Sequence, residues 1–107
     1  RYRVGEINSD DLAEHVLDIN INPGPGRSAR WAQETFKQVT GKDVATDGVM
    51  GSKTIKVLNA LTPEQEKKVM NGIAAKREAF YLKRVQNDPT QKTWLKGWLD
   101  RTRSFKR

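Results

Sequence analysis

The chain has 107 residues, no cysteine and a net charge of +7, from 20 Lys and Arg against 13 Asp and Glu. This length predicts one small domain, and the lack of cysteine excludes a disulfide framework, a Cys-based zinc site and a thiol nucleophile. No apolar run reaches the roughly 20 residues of a membrane span, and the first residues lack the apolar segment of a signal peptide. Because the chain begins with Arg1 and not Met, we expect a processed N-terminus or a piece of a longer protein.

The positive charge is unevenly distributed along the sequence. Residues 1–62 hold 8 basic and 8 acidic side chains, whereas residues 63–107 hold 12 basic and 5 acidic ones. A basic half is typical of proteins that bind nucleic acid, an anionic membrane surface or an anionic wall polymer. Lysine-rich helix faces also serve solubility alone, so the charge by itself leaves the partner open.

The first part of the chain predicts two helices. We expect an extended lead-in over residues 1–8, after which Ser9 caps a helix that ends near Asn20. The Pro/Gly segment 22–26 cannot continue this helix. Apolar residues at steps of three and four then predict a second helix from about Arg27 to Val39.

Three more helices are predicted in the rest of the chain. Ser52 is expected to cap a short third helix, and Thr62-Pro63-Glu64-Gln65 forms a capping box that opens a long fourth one, to about Val85. Asn87-Asp88-Pro89 ends it, and a last helix follows over about 90–104. Because no period-two strand pattern of useful length is present, the predicted fold is all-α, a small orthogonal bundle of about five helices.

The acidic residues and the single histidine give weak evidence for catalysis. Glycoside hydrolysis usually needs two carboxylates that flank a cleft, but Glu14 and Glu34 fall on helices and are typical of solvated helix faces. His15 excludes a His-pair metal site and is placed for an i,i+4 pair with Asp11. The segment 43–54 fails as a calcium loop because Thr54 stands where a bidentate Glu is needed. We therefore expect no catalytic residue, no metal and no cofactor.

Arg77 interrupts the apolar stripe of the predicted fourth helix. One explanation is that its long side chain reaches from the stripe to solvent. The other is a buried ion pair, because an uncompensated charge in a core is very costly. Asp18, close to the apolar face of the first helix, is the best candidate partner.

Aromatic side chains of the kind that stack on sugars or bases also occur at helical spacing. This spacing favours the core for Trp94 and Trp98, whereas Trp31 lies off the stripe of its helix and is predicted to be exposed. Tyr81 belongs to the apolar stripe of the fourth helix.

Five blocks of the sequence together resemble a known family. They are Asp18-Ile-Asn-Ile-Asn22-Pro-Gly24, Arg27-Ser-Ala-Arg-Trp-Ala-Gln33, Asp47-Gly-Val-Met-Gly51-Ser-Lys-Thr54, Arg77-Glu-Ala-Phe-Tyr81 and Gly97-Trp-Leu-Asp-Arg101. In this order they are similar to the predicted peptidoglycan-binding C-terminal region of glycoside hydrolase family 108 lysozymes, which include phage-type endolysins and secretion activators. Ser52 replaces the family's usual proline and Ala32 its usual leucine, and the E-G-G-type motif with the catalytic glutamate is absent.

The resemblance implies a lysozyme-like helical domain over residues 9–107 that binds peptidoglycan. The catalytic half of a parent muramidase would then be missing, so this chain alone would be inactive and would act at the bacterial cell wall or in the periplasm. Asn22 and Gly24 would shape one wall of a glycan cleft, which Arg77 and Tyr81 could face. The implied substrate-binding residues are Asn22, Gly24, Trp31, Thr54, Arg77 and Tyr81, and the implied structural residues are Asp18, Asp47, Gly48, Gly51 and Trp98.

Two other functions stay open at this point. A helical nucleic-acid-binding module would use the basic C-terminal half, although no recognition motif is present. A small autonomous cell-wall hydrolase would use Glu14 or Glu34. The sequence does not decide the saccharide or peptide stem that is bound, or the oligomeric state.

Overall fold

All regular secondary structure is helical in a computed structural model of the protein, which describes residues 4–21 and 23–107. The five α-helices are α1 (Asp10–Ile21), α2 (Pro25–Thr40), α3 (Ser52–Asn59), α4 (Pro63–Asn87) and α5 (Lys92–Arg103). The all-α class with five helices is thereby confirmed. Within these described residues, no helix has the length and apolar character of a membrane span.

Two predicted helix starts have the expected hydrogen bonds, and α2 ends with a glycine cap. Ser9 Oγ accepts from the backbone N–H of Leu12 at 3.2 Å, so Ser9 caps α1. Thr62 and Gln65 form both bonds of the capping box at the start of α4. Gly41 ends α2 in the left-handed conformation, with φ of 71°.

Two predictions near the starts of elements are wrong. Residues Val4–Glu6 form a short 3-10 helix, so this part of the lead-in is not extended. Ser52 is the first residue of α3 and not its cap, because Gly51 occupies the cap position without a side-chain hydrogen bond.

Other helix limits shift by a few residues. The second helix begins at Pro25, two residues before Arg27, since proline is well suited to the first helical turn. A 3-10 helix at Pro89–Gln91 separates α4 from α5.

The long helix α4 organises the core, because α1, α2 and α5 all pack against it. Its buried residues Val69, Met70 and Ile73 meet an apolar face of α1 and the small side chain of Ala32 on α2. The face of α1 consists of Leu12, Val16 and Ile19. Burial of this cluster supplies the main driving force for the fold.

Helices α2 and α4 run antiparallel and approach closely at Gly72. Lys76 on α4 bonds to Gln38 near the end of α2, whereas Arg27 near the start of α2 lies over Phe80. A Cβ atom on Gly72 would lie 2.5 Å from Cγ2 of the buried Thr35. The absence of a side chain at Gly72 therefore sets the separation of the two helices.

We expect Gly72→Ala to lower the melting temperature, although alanine favours a helix over glycine by about 1 kcal/mol. The added methyl group has no space against Thr35 Cγ2, and overpacking of this kind costs about 1–3 kcal/mol. Thermal unfolding followed by circular dichroism measures the effect. In a Thr35→Ser background the obstructing methyl is gone, so there Gly72→Ala should raise the melting temperature. A stabilising effect of Gly72→Ala in the otherwise unchanged chain would contradict the close approach.

Candidate functional site

The carboxylate of Asp18 joins three helices through two ion pairs. Its Oδ2 accepts from Arg77 Nη2 on α4 at 2.5 Å, and its Oδ1 accepts from Arg101 Nε on α5 at 2.6 Å. The side chains of Asp18 and Arg77 are almost fully buried, whereas that of Arg101 is mostly exposed. The ion pair between Asp18 and Arg77 is thus present, and Arg101 is an additional partner that the helical spacing did not indicate.

Burial places Arg77 and Tyr81 in the interior and not in a cleft. Arg77 Nε donates to the hydroxyl of Tyr81 at 3.2 Å, and Tyr81 is 1% exposed. These two side chains therefore do not reach the surface to face a ligand, contrary to the role that the resemblance implies. They connect Asp18 to the aromatic side chains described next.

An aromatic row crosses the bundle from α2 to α5. Phe80 makes edge contacts with Trp31 and Tyr81, at centroid distances of 5.8 and 5.7 Å, and Tyr81 stacks on Trp98 at 4.9 Å. Trp31 is only 9% exposed, so its predicted exposure is wrong; it packs inward against Phe80. The predicted core position of Trp94 is also wrong, because its side chain is 59% exposed.

Gln33 organises the turn before α3, although it is not among the site residues predicted from the sequence. Its Nε2 donates to Asp47 Oδ1 at 3.1 Å, to the Val49 carbonyl at 2.9 Å and to Thr54 Oγ1 at 2.9 Å. Its Oε1 accepts from the Gly48 backbone N–H at 3.1 Å. In the sequence, Gln33 is a polar residue directly beside Ala32, which lies on the apolar stripe of α2. This position is the signal that could have indicated its role.

The hydrogen bonds of Gln33 give the 47–54 motif a structural role. Asp47 Oδ1 also accepts from the Val49 backbone N–H, and these bonds from Val49 and Gln33 hold the pKa of Asp47 below its usual range. Thr54 is buried and accepts a hydrogen bond from Gln33, so it is one of the residues that hold the turn.

The two glycines of this motif differ in their backbone conformation. Gly48 has a φ of 76° and lies close to the Gly26 carbonyl, so this position requires glycine. Gly51 has a φ of −93°, with open space where a Cβ would stand, so its backbone does not require glycine.

In the Pro/Gly segment between α1 and α2, Asn22 lies outside the described residues. Gly24 has a φ of 145°, and its N–H donates to the Ile19 carbonyl at 2.6 Å. Ser28 Oγ donates to Asn20 Oδ1 and ties the start of α2 to the end of α1.

A surface groove runs between α2 and α4 and is the best candidate binding site. It consists of two adjoining depressions of about 580 and 670 Å³ that share Arg27, Phe80 and Lys83. We call it the α2–α4 groove. Trp31 contributes to one depression, and Pro23, next to Gly24, contributes to the other. Two predicted substrate-binding positions, Gly24 and Trp31, therefore lie at or beside this groove.

The lining of the α2–α4 groove is predominantly cationic. Its five basic residues are Arg27, Arg30, Lys76, Lys83 and Arg84, and its two acidic residues are Glu34 and Asp88. Arg27 and Arg30 come from the half of the sequence that is neutral overall. The groove can therefore attract an anionic ligand with charges from both halves of the chain.

A second groove, of about 630 Å³, lies beside the turn before α3. Asp47, Gly51 and Thr54 contribute to it, together with the apolar side chains of Val44 and Val57. Within residues 4–21 and 23–107, none of its lining residues is aromatic. Since Gln33 holds its turn in place, this groove is rigid on that side, but its lining offers no concentration of charge of one sign.

The acidic residues do not form the pair that glycoside hydrolysis needs. Glu34 lies in the α2–α4 groove, whereas Glu14 lies with Asp18 in a different depression beside α1. Asp88, the other acid of the groove, accepts a hydrogen bond from Thr90 Oγ1, which holds the pKa of Asp88 below its usual range. A general acid requires the opposite shift. Over residues 4–21 and 23–107, no cluster of three or more His, Cys, Asp or Glu side chains could hold a metal ion.

His15 is completely buried and stacks face to face on Phe105, with ring centroids 4.4 Å apart. Neither ring nitrogen has a hydrogen-bond partner, and the expected pair with Asp11 is not formed, because Asp11 pairs with Arg107. Burial, with the positive charge of Arg77 as the next cause, lowers the pKa of His15 to about 3. The ring is therefore neutral in the folded protein at neutral pH.

We expect Asp18→Ala to lower the free energy of unfolding by about 3–5 kcal/mol, because Arg77 then remains as a buried charge without its carboxylate. Arg77→Met should cost much less, since Asp18 keeps Arg101 as a partner. Urea unfolding of both variants measures the difference. Asp100→Ala, which removes an exposed ion pair with Lys96, is the matched control and should cost about 1 kcal/mol or less. Equal effects of Asp18→Ala and Asp100→Ala would contradict the importance of the buried pair.

Acidification from pH 7 to 5 should destabilise the protein through His15. In the unfolded chain this histidine takes up a proton near its ordinary pKa of 6.5, whereas in the folded chain it stays neutral to about pH 3. The unfolded state thus binds more protons, and the free energy of unfolding falls by up to about 1.4 kcal/mol per pH unit. Urea unfolding at several pH values tests this. His15→Phe should flatten the dependence in this range, because Asp47 and Asp88, whose pKa values are lowered, titrate below it. An unchanged slope in His15→Phe would refute the explanation.

Comparison with known proteins identifies a family. The sequence profile of the family described as "Predicted Peptidoglycan domain" matches residues 27–103, well over half of the chain. No curated protein and no solved structure matches the chain. The matched region includes both helices of the α2–α4 groove, α5 and the turn that Gln33 holds. The chain therefore belongs to the family of predicted peptidoglycan domains.

Proposed function

We propose that this chain is the peptidoglycan-binding part of an N-acetylmuramidase of the endolysin or secretion-activator type, and that it binds the wall through the α2–α4 groove. The proposal rests on one observation: the residues that match the family include most of those that line the groove. The match begins at Arg27, the first groove residue of α2, and continues through α4.

The chemistry of the groove supports an anionic, polymeric ligand. Peptidoglycan presents carboxylates on its peptide stems, and a groove that is open along two helices admits a chain without enclosing its ends. The two depressions meet at Phe80, whose half-buried ring lies under the Arg27 guanidinium. Exposed cations that rest on apolar side chains are typical of a binding surface and not of a catalytic one.

We further propose that the hydrolytic carboxylates belong to another part of the parent protein. Among the described residues, Glu34 is the only glutamate that lines the groove, and Asp88, with its lowered pKa, is poorly suited as a general acid. Within this proposal the chain holds the wall polymer and a separate catalytic half cleaves it.

The direct test is co-sedimentation with purified sacculi from which nucleic acid has been removed. We expect the chain to pellet with the sacculi at low salt and less at high salt, because exposed charges are screened at the Debye length of about 8 Å at physiological ionic strength. Arg27→Glu/Lys83→Glu should stay in the supernatant, since both residues line both depressions. Lys42→Glu/Lys56→Glu changes the charge equally at exposed positions outside the groove and is the control.

Two outcomes would contradict the proposal. Failure of the unchanged chain to pellet at any salt concentration would refute peptidoglycan binding. Clearing of a turbid wall suspension by this chain alone would refute a separate catalytic half and would support the small-hydrolase alternative.

A further inference from the structure

We infer that the α2–α4 groove binds the peptide stem of peptidoglycan and not its sugar strand, with stem carboxylates on the central cations and a stem ammonium at an acidic end. The inference rests on the proposed function and specifies its ligand. It concerns a part of peptidoglycan that carries charges of both signs, whereas the sugar strand is largely neutral.

The central cations of the groove are available to a ligand. Within the residues that the structure describes, Arg27, Arg30, Lys83 and Arg84 form no ion pair. Two acidic residues outside the groove each hold two cations: Asp18 pairs with two arginines, and Glu78 pairs with Arg103 and Lys106. Among the described residues, the groove is therefore a place where positive charge has no acidic partner within ion-pair distance.

Two of these cations are held in position by aromatic rings. The guanidinium of Arg27 lies 4.7 Å from the ring centroid of Phe80, and that of Arg84 lies 5.4 Å from the ring of Trp98. A guanidinium over a ring is attracted by the face of the ring and can still donate hydrogen bonds to a carboxylate. Since the rings already restrict these side chains, little conformational entropy remains to be lost on binding.

The acidic residues argue against a uniform polyanion as the ligand. Glu34 lies toward the Lys76 end of the groove, and Asp88 lies toward the opposite end beside Pro23. A continuous phosphate polymer that followed the groove would meet a like charge at each end. A stem peptide instead combines carboxylates with the free ammonium of its diamino residue, which either acid can accept.

The length of the cationic segment fits a short peptide. Lys76 and Arg84 are eight residues apart on α4, which corresponds to about 12 Å along the helix axis. An extended peptide advances about 3.3–3.6 Å per residue, so this segment spans roughly three to four residues. This is the length of a peptidoglycan stem.

The aromatic residues of the groove are poorly placed for a sugar. The Phe80 ring is covered by the Arg27 guanidinium, and Trp31 is buried. Trp94, which has an exposed indole, contributes to neither depression. A sugar ring therefore finds no free aromatic face in the groove on which to stack.

The test measures binding of soluble ligands to the unchanged chain by isothermal titration calorimetry. The ligands are a synthetic stem tetrapeptide with its carboxylates free, the same peptide with all carboxylates amidated, the same peptide with its side-chain ammonium acetylated, a peptide-free N-acetylglucosamine oligosaccharide and a single-stranded DNA. We expect amidation to weaken binding about tenfold and acetylation about threefold, in line with the strength of charge-assisted hydrogen bonds. The oligosaccharide should not bind measurably.

Variants assign the effect to the groove. Arg27→Gln/Lys83→Gln should lose about tenfold in affinity for the free stem peptide, with a melting temperature that shows it is folded. Lys42→Gln/Lys56→Gln, with the same charge change outside the groove, should bind like the unchanged chain.

The possible failures separate this inference from the proposed function. Equal affinity for the free and amidated peptides, or binding of the oligosaccharide alone, would overturn stem recognition even if the chain pellets with sacculi. Tighter binding of DNA than of the peptide, abolished in Arg27→Gln/Lys83→Gln, would assign the groove to nucleic acid instead. Failure of the unchanged chain to pellet with sacculi would refute the proposed function itself.

Discussion

The buried carboxylate of Asp18 is the constraint on which the arrangement of the helices depends. It lies on α1 and accepts hydrogen bonds from Arg77 on α4 and Arg101 on α5. Taking two charges out of water is costly, and the attraction between them repays this cost only when the geometry is good. The pair therefore adds little stability over an apolar contact of the same shape, but it strongly disfavours any packing of α1 against α4 in which Arg77 is buried alone. The ion pair therefore selects one arrangement of the helices.

That arrangement continues to the surface groove through a series of direct contacts. Arg77 donates to the Tyr81 hydroxyl, Tyr81 stacks on Trp98, and the Trp98 ring lies under the guanidinium of Arg84. Each contact restricts the next side chain, so the position of a cation in the α2–α4 groove depends on the interior ion pair of Asp18. Arg77 and Tyr81, which the family resemblance implies as ligand-binding residues, can in this way support a site without touching the ligand.

Much of the fold could be predicted from the sequence, because its signals are local. The capping box at Thr62 and the cap at Ser9 depend on residues within one turn, and both are present. The burial of the tryptophans could not be predicted in the same way. Trp31 lies off the stripe of its own helix but contacts Phe80 on another helix, whereas Trp94 aligns with a stripe that no neighbouring helix covers at that position. Side-chain burial is decided by the partner helix, which periodicity within one helix does not reveal.

The distribution of charge along the sequence likewise differs from the distribution of unpaired charge in the folded protein. The C-terminal half holds the whole net charge, yet Lys106 and Arg103 at its end share the carboxylate of Glu78 as an acidic partner. The neutral N-terminal half supplies Arg27, whose guanidinium is held over Phe80 in the groove without an acidic partner. Net charge along a segment counts paired and unpaired residues alike, but only the unpaired ones produce a field that a ligand meets. A basic half alone therefore favoured any polyanion, whereas a groove with four unpaired cations between two acids favours a short ligand that carries both signs of charge.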